Sequence, residues 1–207
     1  MLTSIFDFLI LFSFLIVAMT IHEFAHGYVA YKLGDNTAKE KGRLTLNPLA
    51  HIDPVGTVLL PLTLFIASNG RFVFGSAKPV PINYYALRNP KRDIIWIGLS
   101  GPFANLIFAL LLNLAWKTVF TASALNFIFE SLIIINVILG VFNLIPIPPL
   151  DGSRVVMGLL PRKLSFYYSR IESYGFIILL LLLSFHALDF IIFPAMESIL
   201  RLMGIST

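Results

Sequence analysis

Apolar runs of membrane-spanning length set the frame for this chain. Near Leu2 to Leu33, Val55 to Ser68, Ile94 to Phe120, Leu125 to Ile145 and Tyr174 to Phe193 the sequence is almost continuously hydrophobic. A helix needs about 20 apolar residues to cross the hydrocarbon core, and four of these blocks are of that order. The composition agrees: 57% of the residues are hydrophobic and 13% charged, against roughly 25% charged in an ordinary soluble domain. No polar stretch is long enough for a separate soluble domain. The expected architecture is an all-α multi-pass helical bundle, with residues 1–207 forming a single integral-membrane domain.

The block from Val55 to Ser68 is the odd one. With 14 residues, Gly56 and Pro61 among them, it is short for a span and fits a re-entrant or partial segment. Loop charges bear on the choice, because Lys and Arg accumulate on the cytoplasmic side. If the block does not cross, three groups fall on one side: Lys32, Lys39, Lys41 and Arg43; Arg71, Lys78, Arg88, Lys91 and Arg92; and Arg154, Arg162, Lys163 and Arg170. Only Lys117 and Arg201 remain for the other. The expectation is therefore about four full spans, both termini outside, and a tag at Asn69 or Gly70 protected from labelling from outside. Residues 71–83, RFVFGSAKPVPIN, include Pro79 and Pro81, which cannot donate to a ladder on both sides. They are expected to form a small membrane-associated edge strand or hairpin.

Residues 1–21 carry no Lys or Arg and run into a histidine motif. A secretory signal would instead show a basic leader and a small-residue cleavage site, so the first segment is expected to stay. The absence of cysteine excludes thiol chemistry and leaves any metal to nitrogen and oxygen ligands. The net charge of +4 sits in loops, where topology explains it and nucleic-acid binding is not needed.

The sequence HEFAH, residues 22–26, interrupts the first block. On a helix, positions four apart differ by about 40° in direction, so His22 and His26 face one way and can hold one zinc ion. Glu23 can reach a water on the open side of that ion and act as general base, the role this motif gives it in metalloproteases. With four His and five Glu in the chain, chance produces the pattern on the order of once in 500 such sequences. Ionisable groups are costly on a membrane helix and mark a functional site there.

A catalytic zinc takes three protein ligands and keeps a fourth position open. A third His six residues after His26 is excluded, since position 32 is Lys. The best candidate is Asp151 in FNLIPIPPLDG, residues 142–152. There Pro146, Pro148 and Pro149 break the end of a span, and Gly152 allows a tight turn. A carboxylate on such a break can point into the bundle. His51 in NPLAHIDP stays an alternative, although a loop histidine beside Asp53 and Pro54 is more often a local hydrogen-bonding residue. His186 and Asp189 share a face of the last helix at its outer end and receive no catalytic part.

Depth supports Asp151. His26 lies about six residues, roughly 9 Å of helix, before the basic anchor Lys32, and the span ending at Ile145 returns to that same side. In GLSGPFANL, residues 98–106, Gly98, Gly101 and Ala104 form a small face that Ala18 and Ala25 of the first helix can match. Asn105 needs a polar partner there, as helix glue or as part of the site. Trp96, Trp116, Tyr84 and Tyr85 read as interfacial anchors.

With HEFAH, GPFAN and NLIPIPPLDG in this order, the chain resembles the site-2 protease family of intramembrane zinc metalloproteases (peptidase family M50), in its compact prokaryotic branch. The resemblance implies His22, His26 and Asp151 as ligands of one Zn2+ per chain and Glu23 as the catalytic base. It further implies Asn105 as a polar group near the reacting carbonyl and Asn143 as an ordering residue beside the aspartate loop. The segment from Phe72 to Pro81 falls where the family places a substrate-pairing strand. No inserted PDZ domain or appended CBS domain is present in these residues.

The function expected on these grounds is hydrolysis of peptide bonds within or beside transmembrane segments of membrane proteins, in a prokaryotic cell membrane, with the active site nearer the cytoplasmic face. The partners are then the lipid bilayer and a membrane-protein substrate, with no nucleic acid. Two rivals are an embedded protease acting on soluble or juxtamembrane peptides and a metal transporter or scaffold without hydrolysis. Glu23 argues against the last, since transport needs ligands but no base.

Overall fold

The computed structural model describes residues 5–70, 75–119 and 123–205. Its helices, in chain order, are α1 (Ile5–Lys32), α2 (Thr37–Glu40), α3 (Leu60–Ala67), α4 (Pro90–Val119), α5 (Ser123–Asn143), α6 (Asp151–Leu159), α7 (Arg162–Arg170), α8 (Glu172–Ser184) and α9 (Asp189–Leu202). Three of them, α1, α4 and α5, are long and apolar enough to cross a membrane. They pack against one another, and α6 lies against α4. Lipid tails are as apolar as leucine, so side-chain packing and interhelical hydrogen bonds, more than water exclusion, hold such helices together.

The expected count of about four full spans needs correction. A fourth span exists only if α7 and α8, bent by 60° at their junction, count as one. The block expected to run unbroken from Tyr174 to Phe193 stops at Ser184, and His186 takes a φ of 56°, outside the helical region, before α9 restarts. Helix α9 then runs along α5. Leu188 packs with Ile145 and Leu150 near the end of α5, whereas Leu200 and Met203 pack with Ala109, Ile133 and Val137. Lys117 Nζ and Asn113 Nδ2 donate to the Met203 carbonyl at 2.6 and 3.0 Å, which ties the end of α9 to the end of α4.

The short block forms an excursion alongside α1. Asp53 starts it by accepting hydrogen bonds from the Val55 and Gly56 amides at 3.1 and 2.7 Å. The apolar helical stretch Pro54–Ala67 is too short for a span. Its far end reaches the start of α1, where the Phe65 and Phe8 rings lie 4.5 Å apart. The chain then comes back. Ser76 N donates to Gly56 O (3.0 Å), Lys78 N to His51 O (2.9 Å), Val80 N to Glu23 (2.7 Å) and Asn83 N to Asp35 (2.7 Å). Contacts with Phe8, Glu23 and Asp35 in turn trace the return path along α1 and just past its end. Because the tip lies beside Phe8, labelling of Asn69 from outside does not by itself imply crossing. The flanks carry that information.

Among the described residues the expected strand or hairpin is not formed. Residues 71–74 lie outside the described ones, and the described residues contain no strand. Residues 75–83 form no regular element, and their hydrogen bonds go to turns and side chains and build no ladder. Pro79 and Pro81 lack N–H groups, and the one amide between them is taken by Glu23.

Cysteines introduced singly at Lys41 and Arg88, in a chain with none of its own, are expected to react with an impermeant maleimide from the same side of the membrane. Reaction from opposite sides would show that the excursion crosses.

Candidate metal centre

Three buried side chains from two elements meet at one point. His22 and His26, one turn apart on α1, bring their Nε2 atoms within 3.0 Å of each other. Asp151, the first residue of α6, places Oδ2 at 2.8 Å from His22 Nε2 and 3.0 Å from His26 Nε2. Among the described residues this is the group suited to hold a metal ion. Glycines make the approach possible. A methyl group on Gly101 of α4 would lie 2.6 Å from His22 Nε2 and 2.5 Å from His26 Nε2. A Cβ on Gly98 would lie 2.9 Å from the Asp151 carbonyl, and one on Gly152 would lie 2.5 Å from that of Ile145. The small face of α4 thus receives the imidazoles of α1 and the start of α6, while Asn105 on α4 bonds the carbonyl of the buried Ala18.

Proton bookkeeping identifies what the three atoms offer. Asn105, fully buried on α4, donates through Nδ2 to Ala18 O at 2.9 Å and to Asn136 Oδ1 at 2.8 Å. Its Oδ1 is therefore the acceptor 2.6 Å from His22 Nδ1, which must carry a hydrogen. His26 Nδ1 likewise donates to the Ile97 carbonyl at 2.7 Å. With both imidazoles neutral, the two Nε2 atoms present lone pairs toward a carboxylate that is also an acceptor. Three acceptors within 3.0 Å of one another repel unless a cation lies among them. Two neutral imidazoles and one carboxylate suit zinc, and a tetrahedral zinc separates its ligand atoms by about 3.3 Å, slightly more than observed here.

A cavity of about 450 Å3 borders the three ligands. Glu23, Arg154 and Glu172 also line it, between apolar walls that include Met19, Phe142 and Leu179. Glu23 accepts a hydrogen bond from Val80 N through Oε2. Burial pulls the pKa of Arg154 down, and the negative charges of Glu172 and Glu23 oppose that fall. Arg154 Nε lies 3.6 Å from Asp151 Oδ1, and its Nη1 donates to the Tyr84 hydroxyl.

The remaining sequence candidates fall elsewhere. Asn105 sits behind His22 and does not line the cavity, so it faces a ligand and not a substrate carbonyl. Asn143 lines the cavity and donates to Leu139 O at 2.9 Å. His51 is buried in its own turn, with Nε2 donating to Thr45 O at 2.8 Å. His186 is exposed and pairs with Asp189 at 2.9 Å. Sequence reasoning passed over Asn136, Val80 and Arg154 and took Tyr84 for an anchor. Asn136 had a usable signal, a polar residue in the middle of an apolar block. Arg154 had one too, its place three residues after Asp151 on a helix.

Gly101→Ala is expected to leave a folded protein that has lost stoichiometric zinc, because the added methyl would press on both ligand nitrogens. Metal analysis of the purified variant checks this, and full zinc content would contradict the geometry.

Comparison with known proteins places this geometry in a family. The profile of peptidase family M50 matches residues 117–185. The chain is 39% identical over 201 residues to "Putative zinc metalloprotease YwhC" of Bacillus subtilis, covering 91% of this chain and 88% of that protein. It is 29% identical over 186 residues to "Putative zinc metalloprotease Rip2" of Mycolicibacterium smegmatis, covering 88% and 69%. It is 26% identical over 161 residues to "Zinc metalloprotease MJ0392" of Methanocaldococcus jannaschii, covering 77% and 37%. No solved structure matches the chain. The chain belongs to peptidase family M50 and is an integral-membrane, zinc-dependent metalloprotease.

Proposed function

We propose that this protease cleaves peptide bonds within or beside transmembrane segments of membrane proteins. In this reading residues 1–207 act as one domain, His22, His26 and Asp151 hold one zinc ion, and Glu23 is the general base. The observation that carries the proposal is the position of the polar cluster. It lies on a membrane-spanning helix and opens on a cavity whose walls are largely apolar. Such walls accept the side chains of a hydrophobic segment, while hydrolysis needs the few polar groups at one end. The basic loops near Lys32 support an orientation with that end toward the cytoplasm.

A bound zinc supplies Lewis acidity, activating water and polarising the scissile carbonyl. The protein's own groups do the rest. Val80 N–H fixes Glu23 Oε2 and leaves Oε1 for the water. Glu23 takes a proton from that water and delivers it to the departing amine. Asn105 and the Ile97 carbonyl hold each imidazole with Nδ1 protonated and Nε2 toward the site. Asn105 is thus a positioning residue.

Glu23→Gln is expected to retain zinc and lose at least about 100-fold in cleavage of a quenched transmembrane peptide in liposomes. Undiminished cleavage would remove Glu23 from the mechanism. The same scissile sequence without its apolar segment is expected to be a poorer substrate by at least tenfold, about 1.4 kcal/mol. Equal cleavage would favour action on soluble peptides.

A further inference from the structure

We infer that Arg154 is a catalytic residue whose guanidinium stabilises the negative charge forming on the scissile carbonyl oxygen. The inference rests on the peptide hydrolysis proposed above. When water attacks the amide carbon, a C–O bond forms, the carbonyl π pair moves onto oxygen, and the water's proton goes to Glu23. Collapse restores the C=O, breaks C–N, and the amine leaves with that proton. The oxyanion between these steps calls for fixed donors, each worth about 100-fold to 1000-fold in rate.

The structure narrows the choice of donor. Asn105 is fully buried, both hydrogens of its Nδ2 are used, and it does not border the cavity. Ser100 Oγ donates to Ile97 O at 2.7 Å. The Val80 amide is taken by Glu23. Among the described lysines and arginines, Arg154 alone lines the cavity. It lies three residues after Asp151, on the same face of α6, so the helix carries it to the ligand cluster. Gly98 lets that face approach α4, since a Cβ there would lie 3.0 Å from Arg154 Cβ.

The guanidinium is held but not used up. Nη1 donates to Tyr84, and the Tyr84 ring lies 5.9 Å from Cζ. Nε stands 3.6 Å from Asp151 Oδ1, an ion-pair separation too long for a hydrogen bond. Nη2 has no partner among the described residues and is not a sealed, unsatisfied atom. Glu23, Asp151 and Glu172 surround this cation, which offsets the cost of keeping it beside a divalent metal. The arrangement leaves a charged donor beside the ligand cluster, facing the space a substrate would fill.

The test uses the full chain as wild type, Arg154→Gln and Arg154→Lys, each zinc-loaded in liposomes. Three readouts are compared: zinc content, kcat and KM for the quenched transmembrane peptide, and Kd for the same peptide with a phosphinate at the scissile bond, a tetrahedral anion. Arg154→Gln is expected to keep its zinc and a KM within about threefold of wild type. Its kcat and its phosphinate affinity should fall together, by about 100-fold to 1000-fold. Should that variant not accumulate, Arg154→Lys decides: at least tenfold weaker phosphinate binding supports the inference, and unchanged binding overturns it. Loss of zinc in Arg154→Gln, or phosphinate binding as tight as wild type, also overturns it. Wild-type cleavage matched by the Gln variant overturns this inference alone. A zinc-loaded wild type that cleaves nothing contradicts the proposed function and this inference with it.

Discussion

Two imidazole lone pairs and a carboxylate oxygen, held within 3.0 Å of one another in the interior of a membrane bundle, are the interaction on which the rest depends. Such an arrangement repels itself, and at low dielectric no water screens it. It persists in a fold only when a cation belongs there and when outer groups fix each ligand. Here the outer groups are Asn105, Asn136 and two backbone carbonyls, which join α1, α4 and α5 through the same bonds that orient the histidines. Metal site and helix packing are therefore one structure. Side chains that elsewhere serve as helix glue here also set the tautomer of a ligand.

The excursion between α1 and α4 has a comparable double part. Its return path covers the site from one side, and its Pro-Val-Pro stretch offers Glu23 a single, stiffly held donor. Anchoring at both ends is polar: Asp53 and Thr57 near its start, and Asp35 accepting from Asn83 near its end. Side chains and turns take up backbone groups that a sheet would otherwise pair. Val80 is buried at the centre of this path, while Ser76, Lys78, Pro79 and Asn83 are exposed.

The sequence made much of this legible. The four-residue spacing of His22 and His26 set their shared direction, and the proline-broken end of the fourth block pointed to Asp151. Helix length alone located α1, α4 and α5 to within a few residues. What failed to show were features decided by tertiary contact. The amide of Val80 is invisible to pattern reading because any residue carries one. The glycines of α4 marked a close helix contact, but small size reveals room and not that imidazoles and α6 fill it. The composition of residues 71–83 was read as a strand, yet the described residues offer no strand edge to pair with it. The break at His186 falls where Ser184, His186 and Asp189 interrupt the apolar run, a signal read only as the outer end of a helix.

Metal analysis of purified wild type beside Asp151→Ala tests the central claim most directly. The account predicts close to one zinc per wild-type chain and loss of stoichiometric zinc in the variant, with the helical content of both preserved. Equal zinc in the two proteins would contradict it, because the carboxylate would then not be the third group around the ion.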